Sequence, residues 1–157
     1  MKAGFRETVS VVFSYSHKDE ELRDKLAAHL KILERNGVIT SWHDRKIPPG
    51  DEWKSVIDAN FQRAEVILLL VSADFIASDY CYEIEMKGAL ERHEKGEARV
   101  VPIIARACRW QTAPFGRLQA LPKDGKPVTS WSNQDEAWTN VEEGIEKVAA
   151  EMRQRRG

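Results

Sequence analysis

The sequence predicts an α/β domain built on a mostly parallel, five-stranded sheet covered by helices on both faces. Three observations carry that prediction. Five β-rich runs alternate with runs of helical periodicity, the signature of strands joined by helical crossovers. One of them, VILLLV at Val66 to Val71, is apolar at every position, as befits a strand buried on both faces rather than one. No stretch repeats, and no Gly/Ser/Pro-rich linker divides the 157 residues.

Taken in order, Thr8 to Tyr15 (TVSVVFSY) is rich in β-branched and aromatic residues and forms the first strand. Asp19 to Arg35 places Leu22, Leu26, Leu30 and Leu33 on one helical face, and Asn36-Gly37 stops it. Val38 to Trp42 is a short second strand. In His43 to Asp51 (HDRKIPPGD), Pro48-Pro49-Gly50 excludes regular structure. Asp51 then caps a helix over Glu52 to Arg63, with Trp53, Val56, Ile57 and Phe61 on its buried side. The third strand, Val66 to Val71, breaks at Ser72-Ala73-Asp74 and is followed by a helix opening near Ser78. Ala98 to Ala105 (ARVVPIIA) is the fourth strand, and its central Pro102 argues for an edge or irregular position. Arg106 to Lys126 carries Pro114, Gly116, Pro122 and Gly125 and reads as a long connection; Pro127 to Trp131 is the fifth strand. A closing helix from Gln134 to about Arg153 aligns Trp138, Val141, Ile145 and Val148.

The length suits one domain spanning 1–157, with a core at about 8–150 and a polar tail or linker remnant at 151–157. Lys plus Arg number 24 and Asp plus Glu 25, a net charge of −1 that offers no field for nucleic acid or an anionic membrane. The longest apolar run falls far short of the ~20 residues that span a bilayer, and MKAGFRETVS has no signal-peptide hydrophobic region. Two cysteines, Cys81 and Cys108, make neither a disulfide framework nor a metal cluster, which favours the reducing cytoplasm.

The stretch after the third strand holds an anomaly. On an α-helical wheel Cys81, Ile84, Gly88 and Ala89 share one face, with Glu83, Lys87, Leu90 and Glu94 roughly opposite. Glu85 falls inside the apolar stripe, where an acid is costly unless it is paired, hydrogen-bonded or facing a cleft. The small Gly88 and Ala89 beside it would admit another backbone or a ligand. Ligands in parallel sheets gather at the carboxyl ends of strands, which is where Ser72 and the start of this helix are expected.

Five segments, VVFSYSHKDE, WHDRKIPPGDEW, VILLLVSADFIASDYCYEIEMKGAL, RVVPIIARACRW and VTSWSNQDEAW, together resemble a Toll/interleukin receptor (TIR) domain of the bacterial type, from about Val9 to Ala150. The Ser-Tyr-Ser after the first strand matches that family's first box, and Asp44 to Gly50 its BB loop. The spacing of Ser72, Phe75, Ser78, Cys81 and Glu85 matches the stretch that holds its catalytic glutamate. The resemblance implies a flavodoxin-like, three-layer α/β/α fold. It also implies one of two functions: assembly of TIR domains with one another, or cleavage of NAD at the nicotinamide–ribose bond to nicotinamide and ADP-ribose or a cyclic relative.

Cleaving that bond requires stabilising an oxocarbenium-like ribose. Nicotinamide leaves from a cationic pyridinium, so the second carboxylate of ordinary glycosidases is dispensable. One carboxylate near the ribose hydroxyls in a partly dry cleft suffices to position the sugar and favour the developing charge. Glu85 is the catalytic candidate and Glu83 the alternative, since both flank the position three residues after Cys81; the wheel puts Glu83 toward solvent. The structural reading of either is a surface glutamate.

Ser14, Tyr15, Ser16 and His17 end the first strand and are candidates for phosphate or ribose binding, although Ser16 and His17 equally suit capping of the next helix. Asp44, Arg45 and Lys46 form a charged lip for the pyrophosphate or for a neighbouring domain, and Ser72 stands at the carboxyl end of the third strand. Tyr80 is placed as an aromatic lid over nicotinamide, and Cys81 as a small buried residue beside it with no histidine to activate it. Trp110 and Trp131 are read as packing, and His29 and His93 as solvated helix residues. No phosphate loop or metal-ligand spacing occurs, so no cofactor is expected beyond NAD as substrate.

The resemblance favours a cytoplasmic NAD glycohydrolase activated by self-association, with a fused or associated sensor domain as an expected partner and bacterial antiphage defence or signalling as its role. A non-catalytic TIR–TIR scaffold is the alternative. Its expected partners are NAD and other TIR domains, with no membrane and no nucleic acid.

Overall fold

The computed structural model describes residues 8–42, 50 and 59–156. Among them the sheet has four parallel strands: β1 (Val9–Ser14), β2 (Ile39–Trp42), β3 (Val66–Val71) and β4 (Arg99–Ile104), in the order β2-β1-β3-β4. The register sets Val9 beside Ile39, Val11 beside Val66 and Val66 beside Arg99. Two helices cover one face, α1 (Glu20–Arg35) and α4 (Gln134–Arg156). The other carries helical residues 59–63, the short α2 (Ala73–Ala77), a π-helical turn (Tyr80–Met86) and α3 (Lys87–Glu94). This is the three-layer, flavodoxin-like α/β/α arrangement that the sequence predicts.

The alternation of strand side chains builds two cores. Val9, Val11 and Phe13 of β1 and Val66, Leu68 and Leu70 of β3 point toward α1 and α4, where Leu26, Leu30, Trp138, Val141 and Ile145 meet them. Val12, Ile67, Leu69 and Val71 point the other way, to Phe75, Met86 and Ala89. All six β3 positions are buried, and each such side chain contributes about 1.5–3 kcal/mol.

Three expectations are corrected. The fifth strand at Pro127 to Trp131 is a 3-10 turn, Val128–Ser130. Pro127 has no N–H to give a ladder, and the outer edge of β4 is already occupied by Leu121, which bridges Ile103 in parallel. Leu121 N–H donates to the Pro102 carbonyl (2.9 Å) and its carbonyl accepts from Ile104 N–H (2.8 Å). Gly144 of α4 leaves room for this leucine, since a Cβ there would stand 2.7 Å from its methyl groups. Pro102 does sit on an edge strand, where its missing N–H leaves no gap.

His93 is the second correction: it is half-buried, and its Nδ1 accepts the Val100 N–H (3.0 Å) on that same edge. Burial, with Arg117 and Arg99 adding repulsion, holds its imidazole below its ordinary pKa.

Third, the strand does break at Ser72, but a helix opens there already and not first near Ser78, because Ser72 caps α2 by accepting the Phe75 N–H (3.1 Å). The following helix does not begin in α form either. Its first seven residues are π-helical, with an i→i+5 pattern, so residues five apart share a face. Cys81 and Met86 are accordingly both buried, while Ile84, assigned by the α-helical wheel to the apolar face, is 54% exposed. Leu90, placed opposite, is buried.

Candidate functional site

Side chains of β1 and of the π-helical turn meet where β1 ends. The last residue of β1, Ser14, is 1% exposed, and its Oγ donates to Glu85 Oε1 at 2.6 Å. Glu85 is half-buried within the π-helical turn. The same turn is tied to β1 a second time, by the Cys81 thiol donating to the Tyr15 carbonyl (3.3 Å).

Glu85 lines a cleft of about 370 Å³ between helical residues 59–63 and the helical stretch 80–94. Phe61, Tyr80, Ile84 and Gly88 share its wall. Among the described residues, a Cβ built on Gly88 meets nothing within 4 Å, so this helix position faces open space. Arg92 fixes the cleft's base: its Nη1 donates to the carbonyls of Phe61 (2.5 Å) and Ala64 (2.8 Å), and its Nη2 to that of Glu97 (3.1 Å). A guanidinium on the last carbonyls of a helical segment is favoured by both hydrogen bonding and the helix dipole.

Glu83 is engaged elsewhere. It is exposed and accepts from Lys87 Nζ at 2.6 Å, an i,i+4 pair that raises the lysine's pKa, first by the hydrogen bond and then by charge. Glu83 does not line the cleft described by Glu85 and Gly88.

The remaining sequence candidates divide. Tyr15 turns away from the cleft into the α1 layer, where it is 8% exposed. The fully buried Arg23 donates to its hydroxyl (2.5 Å), with the guanidinium carbon 4.8 Å from the ring centre. Ser16 caps a 3-10 turn, His17–Asp19, by accepting from Lys18 N–H (3.2 Å). His17 is exposed, edge-on to Tyr15 at 6.2 Å. Ser72, wholly buried, donates to the Asp19 carboxylate and does not reach the cleft. Asp44, Arg45, Lys46 and Trp53 lie outside the described residues.

Sequence reasoning missed the Asp19 network. Asp19 is 1% exposed and receives Arg106 Nε (2.7 Å), while Arg106 Nη2 donates to Asp74 (2.5 Å). Those two bonds, Asp19 first, push the guanidinium pKa up. Nothing local in the sequence signals a bond between residues 87 positions apart. For Phe61, Ile84 and Arg92 the only sequence signal is the small Gly88 beside them. Among the described residues no cluster of three His, Cys, Asp or Glu side chains is placed to hold a metal, and no helix is long and apolar enough to cross a membrane.

A doubly covered parallel sheet, with a carboxylate bound at the carboxyl end of β1 and lining a cleft beneath the helices of one face, defines a flavodoxin-like domain with a candidate ligand site. The family model for the TIR domain matches residues 11–143, and the chain belongs to that family. It is 55% identical over 143 residues to y4lF of Sinorhizobium fredii (strain NBRC 101917 / NGR234), a protein described as uncharacterized. The match covers 91% of this chain and 44% of y4lF, so the chain spans less than half of that relative's length. Among solved structures it is similar to the TIR domain of the Toll-related receptor TRR-2 from Hydra magnipapillata, with a TM-score of 0.60 and 20% identity over 86% of this chain and 96% of that one. It is also similar to the TIR domains of the activated Roq1 resistosome that recognises the effector XopQ, with a TM-score of 0.53 and 22% identity over 91% and 84%. These two likenesses concern the fold.

Proposed function

We propose that this TIR domain is an NAD glycohydrolase with Glu85 as its catalytic residue. The observation that supports the reading is the half-buried Glu85 carboxylate on the wall of an open cleft, beside the small Gly88 and the exposed Ile84. The reaction needs no metal or acid. The bond between ribose C1′ and the pyridinium nitrogen breaks with its electron pair going to nitrogen, so nicotinamide leaves neutral and the positive charge passes to the ribose. Glu85 accepts hydrogen bonds from the ribose hydroxyls and stabilises that charge in a site of reduced dielectric. Water then adds to C1′ and releases a proton, giving ADP-ribose; attack by an adenine nitrogen instead gives a cyclic product.

Assembly activates the domain in this reading. The activated Roq1 resistosome, whose TIR domains share this fold, motivates that part of the proposal. Cellular NAD depletion in bacterial defence or signalling is the corresponding role.

The test is incubation of the concentrated domain with NAD, with nicotinamide followed by chromatography. Wild type releases nicotinamide, while Glu85→Gln does so about 10²–10³-fold more slowly. Equal release by both proteins removes Glu85 from the mechanism. No release by wild type at high concentration or under crowding leaves the domain as an assembly module.

A further inference from the structure

We infer that Ser14 is a positioning residue for Glu85, and that the π-helical turn exists to bring the two together; this rests on Glu85 acting in NAD cleavage. The sequence offers Ser14 as a substrate contact, but its geometry points elsewhere. At 1% exposure its hydroxyl is out of reach of a ligand in the cleft, and it is committed to Glu85 Oε1 at 2.6 Å. A neutral hydroxyl donating to a carboxylate at that distance is a charge-assisted bond, short and directional. It fixes one oxygen of the carboxylate and so restricts the three torsions of the glutamate side chain.

The donor is itself immobile. Ser14 closes a strand flanked on both sides in the sheet, and it pairs in register with Leu69 of β3. Position is therefore transmitted from the sheet to the reacting group through this bond.

The π-helical turn explains how that bond forms. With an i→i+5 pattern, Cys81 and Met86 are the buried pair, and Met86 is 0% exposed in the core behind the cleft. An α-helical turn would pair Cys81 with Ile84 and Glu85 instead, drawing Ile84 inward. The extra residue per turn lets Ile84 swing out to the cleft wall and sets Glu85 against Ser14. The Cys81 thiol bond to the Tyr15 carbonyl fastens the same turn to the residue after Ser14, so the two segments meet at two adjacent points.

The test compares wild type with Ser14→Ala and Ser14→Thr, each also in the Glu85→Gln background. Loss of a hydrogen bond to a charged group is expected to lower kcat for nicotinamide release roughly ten- to a hundredfold, with KM within about twofold of wild type. Ser14→Thr, which keeps the hydroxyl, restores most of kcat. Ser14→Ala adds nothing once Glu85 is Gln. An unchanged kcat, or a raised KM with kcat intact, overturns the inference; the second result makes Ser14 a substrate contact.

Thermal unfolding of the four proteins in a Ser14→Ala and Glu85→Ala cycle, where each substitution removes the hydrogen bond, keeps the test independent of activity. Non-additive shifts in Tm support the pairing even if wild type releases no nicotinamide, a result that would defeat the NAD reading alone. Additive shifts overturn the pairing itself.

Discussion

Two polar clusters stand at the carboxyl edge of the same sheet, and their difference separates structural carboxylates from a candidate catalytic one. In the first, Asp19 is sealed at 1% exposure between Ser72 and Arg106, and Arg106 reaches on to Asp74. Both oxygens of Asp19 are engaged and its charge is met by a guanidinium. In the second, Glu85 takes a hydroxyl from Ser14 and lines the cleft. A carboxylate enclosed with its counter-charge ties segments together, whereas one that lines a cleft is placed to meet a ligand. Glu83 is a third case, an exposed acid in a solvated pair with Lys87.

The contrast is open to direct attack. Its largest expected effect is on activity: Glu85→Gln lowers kcat by about 10²–10³-fold with little change in Tm. Asp19→Ala should do the reverse. Breaking a buried pair costs ~3–5 kcal/mol, and because the Arg106 side chain is 36% exposed the expected loss is about 2–3 kcal/mol, seen by denaturant unfolding. Activity per folded molecule should survive. A fall in kcat with unchanged stability would merge the two clusters into one functional unit.

Gly88→Ala sharpens the cleft side. In a helix interior with nothing nearby, the substitution should stabilise the fold by about 0.5–1 kcal/mol. Its methyl group projects into the cleft, so KM for NAD should rise while Tm rises too. A stabilised variant with unaltered KM would place the ligand elsewhere.

His93 supplies a pH-dependent reference outside both clusters. Burial holds its folded-state pKa below the ordinary imidazole value of about 6.5, so the native state disfavours protonation. The stability it contributes is complete above about pH 6.5 and is lost as pH falls below that value. His93→Asn, whose side-chain carbonyl can still accept from Val100 N–H, should show a smaller drop in Tm between pH 7.5 and 5.5 than wild type. The smallest expected effect is that of Glu83→Gln: release of nicotinamide and Tm stay at wild-type values, and only the Lys87 pKa returns toward its ordinary range.

Much of this architecture was readable from periodicity. Strand patterning in Val66 to Val71 and helical spacing in Leu26, Leu30, Leu33 and Trp138, Val141, Ile145 are local signals, and all of these residues are buried where that spacing puts them. Pro102 announced an edge strand for the same reason, since a missing N–H matters wherever the chain runs. The wheel around Glu85 misled in one respect: it assumed an α-helical repeat through a π-helical turn, and so reversed Ile84 and Leu90. The fifth strand failed because β-rich composition at Val128 cannot show that Leu121 already occupies the edge it would need.

By itself, the sequence determined the layers, the family boxes and the anomaly of an acid in an apolar face, because each depends on residues within a few turns of one another. Only the tertiary structure decided which acid borders a cleft, which is locked to an arginine and which is merely solvated. Ser14 meets Glu85 across 71 positions and Asp19 meets Arg106 across 87. Bonds of that span are fixed by strand order and by the register of one helical turn, and neither is encoded locally.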